Sequence, residues 1–129
     1  MTHDQTKSKK GLALVSRVRR LCERYPEVTE VIDGFGHTVF KVHGKSFIFI
    51  GEGEGKVYLT LRLLHETQDF LTRHQPKRFS KSAYIGQHGW TTLNPDVQIN
   101  WGEVEGFIDE AYRRTAPKTV LKQLKATSK

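Results

Sequence analysis

Apolar residues recur with two periods along this chain, and the switches between them mark its elements. Over residues 10–24, Leu14, Val18, Leu21 and Cys22 fall at helical spacing, with Tyr25 just beyond. That spacing predicts a helix with one buried stripe. Lys10, Arg17, Arg20 and Arg24 share a neighbouring face. Pro26 ends the helix, because the residue before a proline avoids the α region. The period then falls to two. "HTVFKV" and "KSFIFI" read as strands joined by a tight turn at His43-Gly44. In "KVYLTLRL", Val57, Leu59, Leu61 and Leu63 alternate with Tyr58, Thr60 and Arg62, so one face is buried and the other wet. The first two strands are partly apolar on both sides, through Val39, Phe40, Phe47, Ile48, Phe49 and Ile50. Helices or a long loop are therefore expected over their second face.

A short helix is expected over residues 66–74, stopped by Gln75-Pro76. After the basic stretch "KRFSKS", "AYI" and "WTTL" read as two short strands around "GQHG". Residues 101–114 form the clearest helix, with Trp101, Val104, Phe107, Ile108, Ala111 and Tyr112 on one stripe. Asn100 caps it and Glu103 completes a capping-box pair. Pro117 opens a last helix with Val120, Leu121 and Leu124 inward and Lys118, Lys122 and Lys125 outward. The order is helix, three strands, helix, two strands, two helices. It predicts a two-layer α+β domain: an antiparallel sheet of about five strands packed against helices.

Length and composition narrow the picture. At 129 residues and 36% apolar, the chain suits one domain, drawn at 10–125, with a flexible basic arm at 1–9 and a tail at 126–129. No apolar run reaches membrane-spanning length, and the polar start has no signal-peptide pattern. A lone cysteine, Cys22, on an apolar helix position fits a buried thiol in a reducing, cytoplasmic setting. The net charge of +7 is uneven: residues 1–24 carry seven Lys/Arg against two acids, and residues 101–129 six against four. Such an excess attracts polyanions, because neutralised phosphates release counterions.

Catalytic and metal chemistry find little footing. His3, His37, His43, His65, His74 and His88 are scattered without ligand spacing, so no metal or other cofactor is expected. No serine sits in a Gly-x-Ser-x-Gly turn. "GEGEG" lacks the lysine of a phosphate loop, and its Glu52 and Glu54 read as a solvated turn. The chain is expected not to be an enzyme. Nucleic-acid binding is the specific reading left, by basic hairpins that meet phosphates. One hairpin offers Lys41 and Lys45. The other, "SKSAYIGQHGW", offers Lys81, Gln87 and His88, with Lys77 and Arg78 just before it. The stripe of Lys10, Arg17, Arg20 and Arg24 would hold the backbone. In the same stretch Gly86 and Gly89 are expected at positive φ, and Trp90 is expected to pair with Tyr84 and bury against a helix. The alternative is a non-catalytic module that grips a protein or peptide. A monomer is expected in either case.

Three segments together, "GHTVFKVHGKSFIFI", "YIGQHGWTTL" and "DEAYRRTAPKTVLKQL", resemble the MmcQ/YjbR family. The matching positions are Phe40, Gly44-Lys45-Ser46-Phe47, His88-Gly89-Trp90 and Tyr112, in that order, within a match spanning about residues 11–124. The resemblance implies a small domain akin to secretion-chaperone folds. It also implies DNA binding, in a double-wing mode, and carries over no catalytic residue. Ala111 stands before Tyr112 where many relatives have serine.

Overall fold

The computed structural model describes residues 8–83, 85–95 and 97–127, with side chains through Leu124 in the last helix. Most of the expected arm, residues 1–7, lies outside the described residues, as do Tyr84, Asp96 and the final two residues of the tail. Helix α1 spans Lys9–Cys22. It therefore begins inside the expected arm, where the Ser8 hydroxyl accepts the Gly11 N–H at 2.9 Å and caps the helix. Strands β1 (Val28–Ile32), β2 (Thr38–Val42), β3 (Lys45–Gly53) and β4 (Lys56–Arg62) follow, then α2 (His65–His74), β5 (Phe79–Lys81), a 3₁₀ turn at Gly86–His88, β6 (Trp90–Leu93), α3 (Trp101–Thr115) and α4 (Lys118–Thr127).

The strands form one antiparallel sheet in the order β1-β2-β3-β4-β6-β5. The two-layer α+β architecture is as expected, with two corrections to the strands. Strand β1 was not anticipated. Four of its five residues are β-branched, which suits a strand, but they do not alternate with polar ones. Of the strand expected at "AYI", the described residues Ala83 and Ile85 lie in turns, and Tyr84 is outside the described residues. Instead β5 lies earlier, in the basic stretch, and pairs with β6 from Phe79↔Leu93 to Lys81↔Thr91.

The doubly apolar run of β3 has a geometric cause. Phe40 pairs with Ile48 and Lys41 with Ser46, so Phe47 is the extra residue of a bulge. The bulge turns Phe47 and Ile48 to one face, and both are fully buried with Phe40. These side chains join Ile50, Leu59, Leu61 and Leu93 beneath α1 and α3 in the main core. Full burial of one such side chain contributes ~1.5–3 kcal/mol. Tyr112 closes the core from α3. Its ring lies 5.8 Å from Phe47 and 4.6 Å from Tyr25. Its hydroxyl donates to the Pro26 carbonyl at 2.8 Å.

Trp90 lies elsewhere than expected. The register sets it opposite Arg62, out of step with Leu61 and hence on the sheet's other face. Its carbonyl accepts from Gln68 of α2 at 3.0 Å. Its ring packs on Phe49 at 4.7 Å between ring centroids, and the connection after β5 covers that face. The capping box is also half made. Asn100 accepts the Glu103 N–H at 3.1 Å, but the Glu103 carboxylate pairs with Arg78 instead of reaching back. Helix α2 has no cap of its own; Glu110 of α3 accepts from Leu64 N–H at 2.9 Å and from the Thr67 hydroxyl at 3.0 Å.

Candidate functional site

Helix α1 buries Leu14, Val15, Val18, Leu21 and Cys22 and leaves Lys10, Arg17 and Arg20 on its exposed side, with Arg24 exposed just past its end. Lys10 to Arg20 spans about 15 Å of one helix face, ten residues at the helical rise. The guanidinium of Arg17 stacks over Trp101 at 4.6 Å from the ring centroid, which fixes it and leaves it outward. Arg24 meets Glu105 at 2.8 Å, yet its side chain stays 64% exposed. Such a solvated pair contributes little and is readily exchanged. Arg19, off this face, is bound through two nitrogens to Glu30 at 2.6 and 2.8 Å. That hydrogen bond, against some loss from burial, raises its pKa.

The two proposed hairpins fare differently. The first exists: β2 and β3 turn at His43 and Gly44, both at positive φ. Lys41 opposes Ser46 and Lys45 opposes Val42, so the two lysines project to opposite faces. At the tip, the His43 ring meets the carboxylate of Glu27 at 2.8 Å, and Gln123 donates to the same group. These contacts, first from Gln123 and then from His43, hold the Glu27 carboxyl below its usual range. An anion therefore sits beside the would-be wing.

The second hairpin forms between β5 and β6, with a long connection in place of a tight turn. The Ser82 N–H donates to the Trp90 carbonyl at 3.0 Å, and the chain then winds through the 3₁₀ turn. The reason lies in α2. Buried Gln68 sends its amide to the carbonyls of Gly86 at 2.8 Å and Trp90 at 3.0 Å, and the His65 ring meets the Gln87 carbonyl at 2.6 Å. Gly89 adopts φ 92° as expected, but Gly86 does not take positive φ. Gly86 is needed for space, because a Cβ there would stand 3.0 Å from that of Lys81. Gln87 and His88 remain exposed on this turn. Lys81 is exposed on β5, three strand spacings or about 14 Å from the strand of Lys45. Lys77 is exposed, whereas Arg78 is half-buried: it pairs with Glu103 and Gln75 and stacks over Phe79 at 4.8 Å. Arg78 thus acts as a structural clamp. Of the proposed phosphate contacts, Lys10, Arg17 and Arg20 lie along one helix face, and Lys81 lies beside the turn that carries Gln87 and His88.

Two cavities were not legible in the sequence. One, about 560 Å³, opens beside the α1 cations, against the 94–100 loop and the start of α3. The other, about 570 Å³, lies on the helix-free face and is walled by Phe35, Phe49, Tyr58 and Ile85. Its floor holds a row of hydroxyls, Thr60 to Thr92 to Ser82, each link 3.0 Å. At its edge the Asp33 carboxylate accepts from the Phe35 and His37 N–H groups and meets the His37 ring, at 2.9 to 3.0 Å. The ring of His37 lies over Gly51, where a Cβ would collide with it.

Among the described residues no group of three or more His, Cys, Asp or Glu is placed to hold a metal, and no helix is long and apolar enough to cross a membrane. Burial, with Glu30 adding to it, pushes the Cys22 thiol up to about 12, far from a nucleophile's range.

No curated protein sequence matches the chain. Among solved structures, Deinococcus radiodurans protein DR2400, a DUF419-domain protein, superposes with a TM-score of 0.69 at 20% identity, over 86% of this chain and 87% of that one. At that identity the likeness shows a shared fold. The YjbR family profile matches residues 23–114, most of the chain, and the protein belongs to the YjbR family.

Proposed function

We propose that this protein binds nucleic acid without catalysis and with low sequence specificity, through phosphate contacts made by α1. The observation that carries the reading is the exposed set of Lys10, Arg17 and Arg20 on a helix that contains no acid, with Arg24 exposed just past its C-terminal cap, Glu23. Its helical span of about 15 Å matches about four phosphates at the axial spacing of one strand. Lysine and arginine on a helix face fix a protein on the backbone and read no base edge, hence the low specificity. Lys41 and Lys45, on opposite faces of the sheet, and Lys77, Lys81, Gln87 and His88, on the β5 side, are accessory contacts in this reading.

Fluorescence anisotropy with a labelled 20-nucleotide duplex and the matching single strand, at 50 and 200 mM salt, tests this. Tight binding at the lower salt that weakens at least tenfold at the higher supports it. Absence of binding at 50 mM removes it.

A second reading, protein binding, rests on β1. It is an edge strand, and its Val31 and Ile32 are exposed on alternate faces. Such an edge accepts an added strand. Loss of self-association or of peptide capture on Val31→Lys, with DNA binding unchanged, would favour it.

A further inference from the structure

The cleft beside α1 has a different character from the charged row above it. Its floor is aliphatic: Leu14 of α1, Val57 and Leu59 of β4, and Leu93 of β6. Each of these is less than a tenth exposed and belongs to the main core, so the cleft is a gap in the helix layer reaching the sheet. Trp101 forms one wall. The charged side chains among its described lining are Lys10 and Arg17, both cations and both from α1, one helical turn apart twice over. Arg17 is held at the mouth by its stack on Trp101. Its volume of about 560 Å³ falls in the range of small-molecule sites.

We propose that this cleft binds an amphipathic anion: a hydrocarbon chain of medium length ending in a carboxylate or similar acidic head. The chain lies on the aliphatic floor, where its burial removes apolar surface of both partners from water. The head stays at the mouth between Lys10 and Arg17, and Arg17 offers the paired donors that match a carboxylate. An aliphatic floor favours an alkyl chain over a nucleobase, which would want an aromatic platform. An alkyl cation is excluded by the two positive charges at the mouth. The site shares two residues with the proposed phosphate row but does not depend on that reading.

The test uses decanoate, decanol and decyltrimethylammonium as probes. Calorimetry on the wild-type chain gives affinities. Fluorescence of Trp90→Phe, in which Trp101 is the remaining tryptophan, gives location. Decanoate is expected to saturate and to change Trp101 emission, binding at least tenfold more tightly than decanol, with no response to the cation. Lys10→Gln with Arg17→Gln should bring decanoate to the level of decanol. Ala13→Phe, at an exposed cleft-lining position of α1, should block the mouth and abolish binding while keeping every cation. Equal binding of decanoate and decanol, no saturation at sub-micellar concentrations, or full binding by Ala13→Phe would overturn the proposal. Because Ala13→Phe retains the charged row, its DNA titration reports separately on the nucleic-acid reading.

Discussion

Gly89 and Trp90 show how much one position can carry. Gly89 sits at φ 92°, and a Cβ there would run into the Leu63 carbonyl and the Arg114 guanidinium. The same carbonyl accepts a hydrogen bond from Arg114, and the Leu63 N–H donates to the Gly89 carbonyl at 2.9 Å. Burial, and then the nearby Arg62, lowers the pKa of Arg114, so its site is already a costly one for a charge. Gly89→Ala therefore combines left-handed strain of ~1–3 kcal/mol with a clash that has nowhere to relax. We expect it to lower the melting temperature markedly, measured by circular dichroism, and an unchanged melt would show that the turn can rearrange. Trp90→Ala is expected to cost ~3 kcal/mol by chemical denaturation, because the ring is 7% exposed and stacked on Phe49. A cost under ~1 kcal/mol would mean that the helix-free face is loosely packed.

At the scale of elements, the Asp33 carboxylate closes the β1–β2 connection. Partial burial works to raise its pKa, but the hydrogen bonds from the His37 N–H, the His37 ring and the Phe35 N–H prevail and hold it below the usual carboxylate value. A depressed carboxylate stabilises the fold above its unfolded pKa of ~3.9, and that contribution disappears as the pH falls through the folded value. The advantage of wild type over Asp33→Asn in urea midpoint should thus be full at pH 6 and shrink towards pH 2.5. A constant difference across that range would locate the effect in turn geometry rather than charge. The helices and β2 to β4 were readable because their periodicity is set by burial on one side, as in Leu14 to Cys22 or Val57 to Leu63. Strand β1 escaped because an exposed edge strand has no apolar alternation to show. The 82–89 connection escaped for a different reason. It is shaped by the Gln68 amide, a partner from another element with no local signature. Arg78 was misjudged for the same cause: its acid, Glu103, lies 25 residues away.

For the whole molecule, a formal charge of +7 says less than the way it is arranged. Arg19, Arg24, Arg73, Arg78 and Arg113 are each matched with an acid, Arg24 and Arg73 in the most solvated pairs. The exposed row on α1 is the portion left coherent, and it sits over a greasy cleft on the side opposite the aromatic groove. The sequence placed all four cations on one helix face, and the fold keeps Lys10, Arg17 and Arg20 there with Arg24 just past the helix end; it gave no sign of the cavity beside them, since Leu14, Leu59 and Leu93 meet only in the fold.

The most direct measurement is the slope of log affinity for duplex DNA against log salt concentration, for wild type and for Lys10→Gln with Arg20→Gln. Among the described residues neither side chain is within ion-pair distance of an acid. The row on α1 predicts a slope shallower by about two for the double variant, one unit per phosphate contact removed, and no change for Lys45→Gln. An unaltered slope in the double variant, or an equal loss at Lys45, would contradict it.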